Sequence, residues 1–114
     1  MRDTTLTKRS FIAALLALAF VGPAFAQDTT FTLTLANNKF DKAELTVPAN
    51  KKIVLIVKNT DKTPEEFESN DLRVEKVVPP GKEIRLTVGP LEPGSYVYFG
   101  DYHQDTAKGV LIAK

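Results

Sequence analysis

The sequence predicts an all-β sandwich of seven or eight strands for residues 27–114. Two observations support this fold class: short apolar runs separated by turn residues, and no convincing helical period in residues 27–114. The chain also has no cysteine. Short alternating runs with regular turns are typical of all-β sandwiches. Without disulfides, the apolar inner faces of two packed sheets must stabilise the domain by themselves.

The apolar runs define the strands in chain order. Phe31, Leu33 and Leu35 alternate with threonines, which predicts a half-buried first strand. The run IVLIV is apolar on both faces, and we expect it to form a central strand that is covered on both sides. Turn sequences rich in proline and glycine precede two of the later runs. The runs after the first lie at residues 45–47, 53–57, 84–88, 96–99 and 110–113.

Residues 1–26 have the order of regions found in a secretory signal peptide. Lys8 and Arg9 precede an apolar run, and an Ala-x-Ala sequence ends at Ala26. The apolar run is shorter than the ~20 residues that a helix needs to span a bilayer. We therefore expect cleavage after Ala26, a mature chain without a transmembrane segment, and a periplasmic location. Residues 7–12 also resemble a twin-arginine export motif, but the Leu/Ala-rich core favours the general secretory route.

Charge and composition exclude several functions. The predicted signal peptide holds three of the 15 basic and one of the 14 acidic residues, which leaves a net charge of about −1 on residues 27–114. Nucleic-acid binding is not expected, because it needs a strongly basic face. The absence of cysteine excludes thiol nucleophiles and thiolate-bound metals. A single histidine, His103, gives no convincing Ser-His-Asp set, and the sequence has no Gly-rich phosphate loop.

Two segments resemble the cupredoxins, the β-sandwich family of small blue copper proteins. Residues 58–64, KNTDKTP, resemble the stretch in which an Asn follows the central strand and a Pro precedes the first histidine ligand. Residues 96–109 resemble the family's ligand loop, which usually runs Tyr-x-Tyr/Phe-x-Cys-x-x-His, then Met, then Gly and a final strand. The resemblance covers residues 31–114, which are nearly all of the predicted mature chain, and implies a cupredoxin-like Greek-key sandwich.

Three positions that carry copper ligands in the family differ in this chain. Gly100 stands at the position of the Cys, Ala107 at that of the Met, and Glu65 at that of the first His. Only His103 matches a ligand. A blue copper site depends on two imidazoles and a thiolate. The resemblance therefore implies the cupredoxin fold without type 1 copper and without its electron transfer.

A narrower resemblance concerns iron. The segments TPEEFES, LRVEKVVPPG and GDYHQDTAKG closely resemble the cupredoxin-like domain associated with bacterial ferrous-iron uptake. That domain occurs fused to the periplasmic component of Efe-type systems, or as a small separate protein beside an iron permease. The acid-aromatic-acid motif of the group resembles Glu66-Phe67-Glu68. The resemblance implies a periplasmic iron-uptake component or an inner-membrane iron permease as the partner.

The acidic motif and the C-terminal loop supply candidate metal ligands. Alternate side chains of a strand share a face, so Glu66 and Glu68 would project together, about 7 Å apart, if Phe67 packs inward. On the cupredoxin framework, this strand starts at the end of the sandwich that carries the loop with Asp101 and His103. One imidazole with carboxylates suits Fe(II), Fe(III), Mn(II) or a tetragonal Cu(II) ion better than Cu(I). The predicted metal ligands are Glu66, Glu68, Asp101 and His103.

Ordinary interpretations exist for the same residues. A Glu-x-Glu pair on a strand is often a solvated face or a charged edge, and a lone histidine in a polar loop is often only exposed. The remaining acidic residues near the motifs are interpreted as contributing to solubility. They are Glu65, Asp71, Glu75 and Asp105.

The sequence thus predicts a periplasmic accessory protein of ferrous-iron uptake that binds iron or copper through carboxylates and one histidine. Two alternatives stay open. The first is a ferroxidase that passes the electron of Fe(II) to a bound Cu(II) or to a partner. The second is a metal-free docking module for an iron permease.

Overall fold

The computed structural model describes residues 29–114, so the predicted signal peptide lies outside the described residues. This part of the chain forms nine strands, which confirms the all-β prediction. The strands are β1 Thr30–Ala36, β2 Lys39–Phe40, β3 Glu44–Val47, β4 Ile53–Asn59, β5 Glu65–Ser69, β6 Val74–Val78, β7 Glu83–Val88, β8 Gly94–Gly100 and β9 Lys108–Ala113. A 3-10 helix, Asp101–His103, follows β8 directly. Within residues 29–114, no helix is long and apolar enough to cross a membrane.

The strands form two sheets, with the orders β2-β1-β4-β7 and β3-β9-β8-β5-β6. β1 pairs with β4 and β3 with β9 in parallel, whereas the other pairs are antiparallel. In the five-stranded sheet, β5 lies between β6 and β8, and Phe67 of β5 lies opposite Gly100 of β8. This pairing brings the start of β5 beside the 3-10 helix.

An aromatic cluster in the core fixes the orientation of β5. The ring of Phe40 meets those of Phe67 and Tyr98 edge-on at centroid distances of 6.0 and 5.0 Å, and Phe67 stacks on Tyr98 at 5.7 Å. The Tyr98 hydroxyl donates to the carbonyl oxygen of Lys42 at 2.6 Å, and burial raises the pKa of Tyr98 above its usual range. Because Phe67 is completely buried, its neighbours on β5 must face away from this cluster.

The expectation for the central strand β4 needs one correction. Ile53, Leu55 and Val57 are buried in the core, but Val54 and Ile56 are only partly buried. β4 pairs with β1 on one side and with β7 on the other. The run IVLIV is therefore central in its sheet but covered fully on one face only.

Candidate metal centre

β5 divides the sequence EEFES between two faces of the sheet. Glu65, Phe67 and Ser69 are buried, whereas Glu66 and Glu68 are partly buried on the opposite face. This is the alternation that the sequence predicts from an inward Phe67. The prediction that Glu66 and Glu68 share an outer face is confirmed.

Three carboxylates from two elements converge on that outer face. One oxygen each of Glu66, Glu68 and Asp101 lies within 4.8 Å of the others. Glu68 lies opposite Phe99 of β8, and Asp101 begins the 3-10 helix only two residues further along the chain. We call Glu66, Glu68 and Asp101 the acidic cluster.

The electrostatics of the acidic cluster favour a bound proton or cation. Partial desolvation raises the pKa of Glu66, and the negative charges of Glu75, Asp101 and Glu68 raise it further. The pKa of Glu68 is raised in the same way by desolvation and by the charges of Glu75 and Asp101. A bound proton or cation would neutralise negative charge in the cluster and relieve this repulsion.

His103 is not a member of the acidic cluster. Its Nδ1 lies 2.6 Å from Oε2 of Glu65, and its side chain is 30% exposed. Of the four predicted ligands, the structure thus places three together and directs a ring nitrogen of the fourth to a different carboxylate.

Glu65 is the residue of this region that sequence reasoning missed. It was interpreted as a solubility residue, but it is only 3% exposed, so that interpretation is wrong. Its Oε1 accepts hydrogen bonds from the backbone N–H groups of Tyr102, at 2.8 Å, and Glu66, at 3.0 Å. Its Oε2 faces His103. Burial of a carboxylate costs little only when it is hydrogen-bonded in this way.

The positions that resemble copper-ligand positions pack against one another around the Glu65 carboxylate. A Cβ atom on Gly100 would lie 2.5 Å from Cδ and 2.7 Å from Oε2 of Glu65, and 2.9 Å from Cβ of Ala107. The carboxylate therefore occupies space that a cysteine side chain at position 100 would need. With no thiolate in the chain and one imidazole that faces Glu65, these residues do not fit blue copper.

The other acidic residues near the cluster have separate environments. Asp71 is exposed, yet its Oδ2 accepts a hydrogen bond from the backbone N–H of Val97 on β8 at 2.9 Å. Asp105 is exposed, and Glu75 is exposed on β6 opposite Glu68. Asp71 is thus a structural residue, which the solubility interpretation did not anticipate.

The two sheets and the replaced ligand positions define a cupredoxin-like protein without the residues of a blue copper site. The family model described as a cupredoxin-like domain matches residues 9–113, and the chain belongs to this family. An uncharacterized protein of Rickettsia prowazekii (strain Madrid E) is 49% identical over 80 residues. That match covers 70% of this chain and 64% of the length of the relative.

Solved cupredoxin structures have a similar fold. Auracyanin A of Chloroflexus aurantiacus, a "blue" copper protein, has a TM-score of 0.65 at 15% identity, covering 77% of this chain and 100% of that chain. Dithionite-reduced auracyanin of Roseiflexus castenholzii has a TM-score of 0.64 at 21% identity, covering 78% and 99%. A purple cupredoxin of Nitrosopumilus maritimus has a TM-score of 0.57 at 15% identity, covering 73% and 98%. At these identities the similarity concerns the fold alone.

Proposed function

We propose that this protein is a periplasmic accessory of ferrous-iron uptake that binds a hard metal ion at the acidic cluster and delivers it to a permease or another partner at the membrane. The observation that carries the proposal is the convergence of Glu66, Glu68 and Asp101 within 4.8 Å. These residues come from a strand and a 3-10 helix, so their approach depends on the folded sheet.

The chemistry of the cluster favours a hard cation. Carboxylate oxygens suit Mn(II), Fe(II) and Fe(III), whereas Cu(I) prefers thiolate and thioether ligands. The raised pKa values of Glu66 and Glu68 reflect partial desolvation and, after it, repulsion between like charges, which a bound cation relieves. The ligand role is therefore assigned to the three carboxylates, and His103 has the separate role that is argued below.

The choice of iron uptake rests on the three sequence segments that resemble the domain associated with ferrous-iron uptake. The periplasmic location rests on the predicted signal peptide. The departures from the copper-ligand pattern at positions 65, 100 and 107 are consistent with a metal other than blue copper.

An anaerobic calorimetric titration with Fe(II), repeated in air with Mn(II), tests the proposal. We expect saturable binding to the wild-type protein and none to the E66Q/E68Q variant, which keeps the side-chain shapes but removes two ligand charges. The E83Q/E92Q variant is the matched control, because it removes two exposed carboxylates outside the cluster. Equal affinity in E66Q/E68Q and the wild type would overturn the proposed site.

An Fe(II)-oxidation assay with oxygen or Cu(II) tests the first alternative, and the titration tests the second. Oxidation of Fe(II) that depends on oxygen or Cu(II) and scales with protein concentration would assign ferroxidase activity. The absence of heat with every ion would favour the metal-free docking module.

A further inference from the structure

We infer that Glu65 is the positioning residue of the acidic cluster, and that His103 holds Glu65 in place instead of binding the metal. This inference rests on the proposed function of the cluster. It concerns the inner face of β5, where a buried carboxylate joins the backbone segments that carry two of the three proposed ligands.

The hydrogen bonds of Glu65 connect to these ligands through the backbone. The N–H of Tyr102 belongs to the peptide group that follows Asp101, and it donates to Oε1 of Glu65. The same oxygen accepts the N–H of Glu66. A single buried oxygen thus fixes the backbone beside Asp101 relative to the backbone beside Glu66.

The side chain of Glu65 acts where the backbone ladder ends. β5 pairs with β8 at only two positions, Phe67 with Gly100 and Glu68 with Phe99. Asp101 lies beyond the last pair, because the chain leaves β8 and enters the 3-10 helix. The hydrogen bond from the Tyr102 N–H to Glu65 therefore connects β5 to the 3-10 helix beyond the last β5–β8 pair. This connection holds Asp101 near Glu66 and Glu68.

The surrounding residues leave room for the carboxylate and fix its second oxygen. Gly100 and Ala107 provide the space, since a Cβ on Gly100 would collide with Glu65. An ionised carboxylate only accepts hydrogen bonds, so Nδ1 of His103 donates to Oε2 over the distance of 2.6 Å. The hydrogen bonds from His103, Tyr102 and Glu66 together satisfy a carboxylate that is 3% exposed.

Two substitutions of Glu65 separate its contacts. E65Q keeps one carbonyl oxygen for the N–H groups of Tyr102 and Glu66 but presents an NH₂ group to His103. In E65Q we expect the neutral imidazole to move its proton from Nδ1 to Nε2, and Mn(II) affinity to stay within about threefold of wild type. E65M removes every acceptor, and we expect it to weaken Mn(II) binding roughly tenfold to a hundredfold, the range for lost supporting contacts.

The measurements are Mn(II) calorimetry, ¹⁵N NMR of the His103 ring at a pH where it is neutral, and hydrogen exchange of the Tyr102 amide. Faster exchange in E65M with retained protection in E65Q supports the inference. An unchanged ring proton in E65Q, or wild-type Mn(II) affinity in folded E65M, overturns it. If E65M does not fold, G100A takes its place, because the added methyl group displaces the carboxylate without removing it.

The outcome for Glu65 is distinguishable from the outcome for the proposed function. Loss of Mn(II) binding in E66Q/E68Q with full affinity in E65M keeps the metal site and overturns the role of Glu65. Undiminished binding in E66Q/E68Q overturns the metal site itself, and the positioning role with it.

Discussion

Glu65 and Glu66 are neighbours on β5, yet their carboxylates lie in opposite environments. Glu65 is buried, and its oxygens accept hydrogen bonds from Tyr102, Glu66 and His103. Glu66 faces outward beside Glu68 and Asp101, where partial desolvation and like charges raise its pKa. Hydrogen-bond donors satisfy the first carboxylate, whereas the second lies in an acidic environment that favours a proton or a cation.

Because successive side chains of a strand point to opposite faces, the consecutive glutamates Glu65 and Glu66 of β5 have different environments. On the inner face, the Glu65 carboxylate lies among positions that resemble the copper-ligand positions of the family. Hydrogen bonds already satisfy its two oxygens. On the outer face, Glu66 and Glu68 lie among other carboxylates, and under the proposed function their oxygens bind a metal ion. The proposed metal site therefore lies on the outer face of β5, whereas the positions that resemble the family's copper-ligand positions lie on the inner face.

The largest expected effect comes from introducing the family's ligand residues on the inner face. The E65H/G100C/A107M variant replaces all three departures from the family pattern. Positions 65, 100 and 107 already pack together, and Nδ1 of His103 faces the same space. We expect this variant to bind Cu(II) and to gain an intense visible thiolate-to-copper absorption band, measured during a Cu(II) titration.

Single substitution provides the control for this experiment. G100C alone supplies the thiol but retains the Glu65 carboxylate in the space that the thiol needs, so we expect no such band. Replacement of His103 by Ala in the triple variant should abolish the band. A colourless triple variant would contradict the view that Glu65 occupies the space that the family's copper ligands would need.

A smaller effect is expected when the two glutamates are each replaced by alanine. Leaving a buried polar group without its hydrogen-bond partner typically costs about 1–3 kcal/mol. E65A removes the acceptor of the Tyr102 N–H, the Glu66 N–H and His103, so we expect the upper end of that range, about 3 kcal/mol. E66A removes an outward-facing charge that lies among like charges, so we expect no comparable loss in the free energy of unfolding. Urea unfolding measures both, and equal losses would show that burial does not distinguish these carboxylates.

The fold was largely predictable from local sequence, for a physical reason. A strand with one buried face needs apolar residues at alternate positions, and the runs at β1, β3 and β7 show this pattern directly. β2 was missed because two residues are too short to show an alternation. The partial cover of β4 could not be predicted either, since it depends on what packs outside the sheet.

The candidate site was predictable only in part. The inward position of Phe67 places Glu66 and Glu68 outside, and the same alternation places Glu65 inside. Charge alone argued against burial of Glu65, because a buried carboxylate needs partners. Those partners are Tyr102 and His103, which lie 37 and 38 residues away in sequence. No local pattern reveals such contacts, so the role of Glu65 required the structure.

The smallest expected effect is a change in the pH dependence of stability. The pKa values of Glu66 and Glu68 are raised above 4.5 in the folded protein, so the fold binds these protons more tightly than the unfolded chain. Their contribution to stability is therefore favourable at low pH and is lost as pH rises past 4.5 toward neutrality. E66Q/E68Q should be more stable than the wild type near neutral pH, with the difference vanishing in acid, whereas E83Q/E92Q should lack this pattern. Mn(II) should abolish the difference by neutralising the wild-type cluster. Parallel pH profiles of urea unfolding for the wild type and E66Q/E68Q would contradict the proposed repulsion within the cluster.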